Sequence, residues 1–264
     1  MMTESIESRP KLPCSLKGDR QCVLQIVILV VITAGLYWRS LGNEFLMLWD
    51  DQWMVFNPYT ADGITLENIG KILTDIYYRQ YSPLNQFLYT LLHSIAGYNP
   101  VLYHGFCILL HVLNVVIAYL FLNALLSGMR GYLRPHISDG KEASMTANAA
   151  FIGALLFAVH PVNVETVSWV SASKIVLCSF FHLLGLYLYV RYIVSRSRLT
   201  YIAVLLLFAL AFGAKEQAVA FVICCMVIDY AVKRKEKLTY LLLEKMPMIL
   251  LALYFGFITM VTHW

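Results

Sequence analysis

Of the 264 residues, 59% are hydrophobic and only 14% are charged, and the mean hydropathy is +0.66. Soluble domains run about 45–50% apolar and about 25% charged, so a water-soluble fold of this size is excluded and the bilayer is the natural solvent. The net charge of +4 is modest, and its distribution along the chain says more than its size.

Residues 1–21 are polar and carry Arg9, Lys11, Lys17 and Arg20. The apolar run Cys22 to Trp38 that follows is long enough for a signal anchor and has no persuasive cleavage site, so the segment reads as cytoplasmic and retained. Apolar runs at 22–41, 100–126, 147–161, 168–190, 199–214, 217–232 and 239–263 predict an all-α polytopic membrane protein of about seven transmembrane helices. Runs 147–161, 199–214 and 217–232 are short for a crossing that needs about 20 residues. Residues 84–97 predict an interfacial or re-entrant helix. In the loop before it, Asn57-Pro58 and Asp62-Gly63 signal turns, and Thr65 reads as the cap of a short amphipathic helix running to Ile76. The six cysteines show no CxxC or Cys/His spacing, so neither a disulfide framework nor a zinc site is expected.

Lysine and arginine set the orientation. Residues 1–21, loop 127–146, loop 191–198 and segment 233–245 together hold fifteen of the twenty, and all four fall on one side if every run crosses. That side is the cytoplasm. The opposite side receives loop 42–99, the turn His160 to Glu165, and the turn Lys215-Glu216-Gln217. Residues 42–83 carry six acids (Glu44, Asp50, Asp51, Asp62, Glu67, Asp75) against Lys71 and Arg79.

Several residues on the outer side could carry chemistry. Adjacent carboxylates such as Asp50 and Asp51, beside an apolar surface, repel each other, which suits one of them to act as a base toward a hydroxyl; a solvated pair ending a helix is the plainer alternative. Lys174, early in an apolar run, could meet a lipid-linked phosphate or simply snorkel to headgroups. Lys215 and Glu216 form either a functional pair at the mouth or a local ion pair in a short turn. Arg79 could clamp a phosphate or pair with Asp75 one turn earlier. His104 and His111 would share one helix face, but lack a carboxylate at metal spacing, so no metal is assigned. No nucleotide-binding or hydrolase motif is present.

The order of several short motifs resembles a known family. Trp49-Asp50-Asp51, then Asn57, is followed by Gln80-Tyr81-Ser82-Pro83-Leu84-Asn85, by Gly97-Tyr98-Asn99-Pro100 with His104, and by His111-Val112-Leu113-Asn114. His160-Pro161-Val162-Asn163-Val164-Glu165 and Lys215-Glu216-Gln217 come last. Over roughly residues 22–232 this is similar to the protein O-mannosyltransferase-like type C glycosyltransferases. It is nearest the bacterial members often joined to tetratricopeptide repeats, and similar to the animal transmembrane O-mannosyltransferases acting on cadherins. The resemblance implies a membrane glycosyltransferase core over 22–264, with outer loop 42–99. It would move mannose or another hexose from a polyprenyl- or dolichyl-phosphate donor to a protein Ser/Thr hydroxyl on the non-cytoplasmic face. It implies Asp50 as base with Asp51 as its partner, and brings Glu165, His160, Lys215 and Glu216 to the site; Arg79 and Lys174 are the candidate phosphate contacts. Relatives often have an arginine directly before the loop-return proline, where this chain has Ser82. No cofactor is implied, a divalent metal stays open, and no nucleic-acid partner is expected. A bacterial inner membrane with the site toward the periplasm is the expected location. A lipid or sugar transporter and a non-catalytic membrane subunit are the rival readings. A transporter would set its charges near the midplane and show two related halves, and this chain does neither.

Overall fold

A computed structural model describes residues 20–133 and 140–263; Cys14, Arg9, Lys11, Lys17 and Arg134 lie outside them. The described residues form helices and turns with no β-strand. Helix α1 (Arg20–Tyr37) runs into a 3-10 turn, Trp38–Gly42, and the outer loop then folds into α2 (Asp51–Met54), α3 (Pro58–Ala61), α4 (Leu66–Thr74) and α5 (Pro83–Ala96). The long helices α6 (Pro100–Leu133) and α7 (Gly140–Val159) follow, then the short α8 (Asn163–Ser168) and the 3-10 turn Val170–Ala172. The chain continues through α9 (Ser173–Ser195), α10 (Arg198–Ala214), a 3-10 turn Glu216–Val219, α11 (Ala220–Ala231) and α12 (Leu238–His263).

Every predicted apolar run is helical, and the protein is a multi-pass membrane protein. Five helices are long and apolar enough to cross a bilayer: Arg20–Gly42, Pro100–Met129, Lys141–Val159, Val170–Ser195 and Leu238–Val261. The run expected to be short at 147–161 gains length by beginning at Gly140, whereas α10 and α11, at 17 and 12 residues, stay shorter than the membrane is thick. The crossing helices are apolar on all sides, as a lipid environment demands. Val23, Leu24, Val27 and Val31 on α1, and Leu243, Leu250, Leu253 and Phe257 on α12, face outward.

Between helices, small residues and a few polar bonds do the joining. On α7, Ala150, Ala154 and Ala158 recur every fourth residue, all fully buried, and let α1 and α6 approach. Gln25 Nε2 donates to Asn148 Oδ1 (2.8 Å) and receives the Tyr119 hydroxyl at Oε1 (2.8 Å), tying α1, α6 and α7 together. Asn114 Nδ2 donates to the Val176 carbonyl (2.9 Å), linking α6 to α9. The α9–α11 crossing depends on Gly185, where an added Cβ would sit 2.8 Å from the Phe221 ring.

The helices alternate between two ends. At one end the turns at 195–198 and 232–237 meet, through an ion pair between Arg196 and Glu236. Gly128, near the end of α6, approaches Val232 at that same end. At the other end the loop 42–99 meets α8, the 170–172 turn and the start of α9. The described basic segments therefore collect opposite the acidic loop, the arrangement that the charge count predicts.

Candidate active site

The outer loop is built from local caps. Thr65 accepts from Asn68 N (3.1 Å) to start α4, and Asn57 accepts from Thr60 N (3.0 Å) to start α3, as Pro58 at the first helical position favours. Asn57 also donates from Nδ2 to the Met54 carbonyl (2.8 Å) and to Gln86 Oε1 (3.1 Å), so one buried amide holds α2, α3 and α5 in register. Helix α5 lies over the end of α10, where Gly213 leaves just enough room for Leu84.

The two adjacent aspartates part company. Asp51 is buried, 1% exposed, and its carboxylate is fully engaged: Oδ2 accepts from Leu46 N (2.8 Å), while Oδ1 accepts from Ser171 N (2.9 Å) and from the Ser171 hydroxyl. It anchors the loop to the turn before α9. Asp50 is half-buried, and its carboxylate makes no hydrogen bond among the described residues. Trp49 meets Trp169 edge-on at 6.1 Å beside this anchor.

Beside Asp50, charge gathers. Lys174, on the first turn of α9, lies within electrostatic reach of Asp50, Glu216 and Lys215. Its Nζ donates to Gln80 Oε1 (2.7 Å). Cys178, one turn further along α9, donates weakly to the Lys215 carbonyl (3.9 Å), which seats the 215–219 turn against the start of α9. Two cations, Lys174 and Lys215, and two carboxylates, Asp50 and Glu216, thus gather at this end of α9.

Gln80 belongs to a tight hairpin. Tyr77 and Gln80 exchange both backbone hydrogen bonds (3.1 and 2.9 Å), and the two residues between them, Tyr78 and Arg79, have φ of +49° and +59°. Side chains at both left-handed positions of such a turn are strained, at about 1–2 kcal/mol each. The Tyr78 ring stacks on Trp53 (5.7 Å, 9° between planes), which helps to hold the turn. Behind it, Tyr89 donates to the Val170 carbonyl (2.8 Å) and Ser173 donates to Asn85 (3.1 Å), fixing α5 to the start of α9.

A cleft opens between hairpin and α5, lined among others by Tyr59, Asp75, Tyr77, Gln80, Asn85 and Gln86. The Tyr59 hydroxyl donates to Asp75 Oδ2 (3.0 Å). Burial raises the Tyr59 and Tyr77 hydroxyls above the usual tyrosine range, Asp75 adding to the effect at Tyr59.

The remaining sequence candidates sit apart. Arg79 is exposed at the hairpin tip and makes no ion pair with Asp75, whose oxygens take Tyr59 and Thr74 instead. His160 Nδ1 accepts from Val162 N (3.2 Å) and so shapes its own turn. Glu165 is exposed on the first turn of α8. No hydrogen bond, ion pair or ring contact among the described residues joins Arg79, His160 or Glu165 to the Lys174 group. His111 touches the Ala158 carbonyl (3.4 Å), and both His104 ring nitrogens are buried without a hydrogen bond. Among the described residues, no three His, Cys, Asp or Glu side chains come together as a metal site.

Two features escaped the sequence reading. Ser171, the partner of Asp51, sits 120 residues away with no local signal. At the opposite end, Asp229, Arg234, Glu244 and Lys245 form a buried ion network around Tyr189, with Arg234 Nη1 2.7 Å from Glu244 Oε1 and Lys245 Nζ 2.5 Å from the Tyr189 hydroxyl. Asp229 inside an apolar run was the available clue.

Comparison with known proteins follows the same lines. The chain is 25% identical over 254 residues to a Caenorhabditis elegans protein named protein O-mannosyl-transferase F38B6.6, covering 94% of this chain and 33% of that protein. It is 30% identical over 118 residues to human protein O-mannosyl-transferase TMTC4 (44% of this chain, 15% of that protein). It is 31% identical over 165 residues to mouse protein O-mannosyl-transferase TMTC1 (59% of this chain, 15% of that protein). The chain spans at most about one third of the length of these relatives. No family model and no solved structure matches it.

Proposed function

With the chain a homologue of O-mannosyltransferase-like proteins, we propose that it forms the membrane core of a glycosyltransferase that moves a hexose, mannose foremost, from a polyprenyl-phosphate donor to a protein Ser/Thr hydroxyl on the non-cytoplasmic face. The names of the relatives supply the reaction class. The observation that carries the mechanism is the division of labour between the aspartates: Asp51 is spent on the Ser171 anchor, while Asp50 stands unbonded within electrostatic reach of Lys174.

In the proposed reaction, Asp50 takes the proton from the acceptor hydroxyl as its oxygen attacks the anomeric carbon. The bond from that carbon to the phosphate oxygen breaks, its electron pair leaves with the polyprenyl phosphate, and configuration inverts. Lys174, helped by Lys215, offsets the charge growing on the departing phosphate. Arg79 is the weaker candidate for that role because it stands at the exposed hairpin tip. A site at the mouth suits a donor whose tail stays in the bilayer, and no nucleotide-binding motif is needed because the sugar arrives activated. The positive-inside pattern supports a non-cytoplasmic site: the periplasm in a bacterium, or the lumen of an internal membrane in an animal, the source of the three relatives described.

The test is transfer of labelled mannose from dolichyl-phosphate mannose to acceptor protein in membranes carrying the chain. Asp50→Asn should lower the rate at least about a hundredfold. Undiminished turnover would remove Asp50 as the base.

A further inference from the structure

Immediately before Asp50 lies an apolar surface that the proposed reaction does not use. Phe45 turns inward, its ring edge-on to Phe56 and Tyr103 at 5.1 and 5.2 Å. The next four residues, Leu46-Met47-Leu48-Trp49, turn outward, with Leu48 93% and Trp49 63% exposed. Charged residues bound the run, Glu44 before Phe45 and Asp50 after Trp49. Contacts fix its height. The Leu46 N–H donates to Asp51, whose carboxylate is held by Ser171, and Trp49 meets Trp169. Trp169 and Ser171 stand where the span Val170–Ser195 begins, so the run lies level with the outer span ends. There it continues a surface that already faces lipid. The outer side of α1 ends in exposed Leu36, exposed Trp38 follows, and the turn after α1 is bonded to α8 through Ser40 and Ser168 (2.8 Å). Val162 and Val164, at the start of α8, are exposed too.

We infer that residues 46–49 form a lipid finger. Met47, Leu48 and Trp49 sit in the outer leaflet at the boundary between headgroups and acyl chains, and Leu46 is the root at the hydrated headgroup level. Three features favour lipid over water or a protein partner. Four consecutive apolar side chains in water would add to the kind of exposed patch that soluble surfaces avoid. The backbone is prepared for a medium poor in hydrogen-bonding groups: the Leu46 N–H goes to Asp51, the Met47 N–H to the Phe45 carbonyl (3.0 Å) and the Trp49 N–H to the Leu46 carbonyl (3.0 Å). A segment that pairs with protein as an added strand offers those groups to its partner instead. Tryptophan at a span end suits the boundary, with an apolar body and one polar N–H. The consequence is positional. The short stretch carrying both aspartates is held from two sides, by Ser171 and by the leaflet, which keeps Asp50 at the height of the lipid headgroups. This goes beyond the transferase reading and holds whether or not Asp50 is the base.

The test uses the full chain in lipid nanodiscs, with Leu48 replaced by a genetically encoded, environment-sensitive fluorescent amino acid. Because the Leu48 side chain is almost wholly exposed, the replacement spares the fold. Glu67, exposed on α4 in its ion pair with Lys71, is replaced in the same way as the water-facing reference. The label at 48 should emit at shorter wavelength than the label at 67 and lose its quenching by aqueous iodide. It should be quenched more by lipid with a doxyl group high on the acyl chain than by lipid with the group at the chain end. A label-free measurement supports it: Trp49→Phe should remove part of the tryptophan quenching that the high-doxyl lipid produces in the wild-type chain. If iodide quenches the label at 48 as strongly as the label at 67, and neither lipid quenches it, the run stands in water and the inference fails. Protection from iodide and from both lipids would mean that protein covers the run, and would overturn the lipid assignment. None of these readouts uses mannose transfer, so the finger and the transferase reading stand or fall separately.

Discussion

Replacing Asp51 by alanine removes the carboxylate that accepts from Leu46 N, Ser171 N and the Ser171 hydroxyl. Ser171 is buried, so its amide would lose its partner far from water; Leu46 is exposed enough for water to replace the lost bond. Hydrogen bonds to a charged acceptor contribute about 1.5–3 kcal/mol, and an orphaned buried donor costs about 1–3 kcal/mol. Two buried bonds lost at Ser171 give a destabilisation of at least about 3 kcal/mol. For a chain of this size that lowers the melting temperature by about 6–12 °C. Asp50→Asn, at a half-buried carboxylate with no hydrogen bond, should stay within about 0.5 kcal/mol of wild type and yet lose transfer. The assay is thermal unfolding of the detergent-solubilised protein followed by tryptophan fluorescence, paired with mannose transfer in membranes. Equal melting temperatures for Asp51→Ala and wild type would refute the anchor. A fall for Asp50→Asn as large as that for Asp51→Ala would refute the separation of roles.

Three further outcomes follow from the same geometry. Lys245→Met leaves Asp229 and Glu244 buried with Arg234 as the main counter-charge and should cost about 3–5 kcal/mol in the same melting assay, with Lys245→Met/Asp229→Asn recovering part of it. Gly185→Ala puts a methyl 2.8 Å from the Phe221 ring and should cost about 1–3 kcal/mol, whereas Gly35→Ala, which meets open space on α1, should be neutral or slightly stabilising. The loop tyrosines Tyr59, Tyr77 and Tyr81 all have hydroxyls raised by burial above the usual value near 10. A raised folded value means the folded loop holds these protons more tightly than the unfolded chain. Its stability is therefore intact below about pH 10 and declines as the pH climbs beyond it. Limited proteolysis across pH 8–11, read at the 59–81 segment, checks this, and uniform cleavage over that range would contradict it.

Hydropathy and charge, which are local properties of the chain, fixed much of the architecture in advance. Long apolar stretches have to become helices because lipid offers the backbone no other partner, so every predicted run is helical. Basic residues between the runs set the two ends, and the Thr65 cap was readable because its partner lies three residues away. Crossing length was less legible: α7 begins seven residues before its apolar run, whereas α10 and α11 stay short.

What the chain could not disclose were partners distant in sequence. Asp50 and Asp51 look alike as neighbours: their adjacency made both candidates, and the resemblance favoured a catalytic role over a solvated pair without showing how their roles divide. Only folding sets Ser171 against one of them, and burial with three donors turns that acid into an anchor while its neighbour is left unbonded. Lys174 meets Gln80 across 94 residues, and Lys245 reaches Asp229 from another helix, for the same reason. A side chain's environment is composed of whatever the tertiary packing brings to it, and that is where the acidic loop acquires one structural and one available carboxylate.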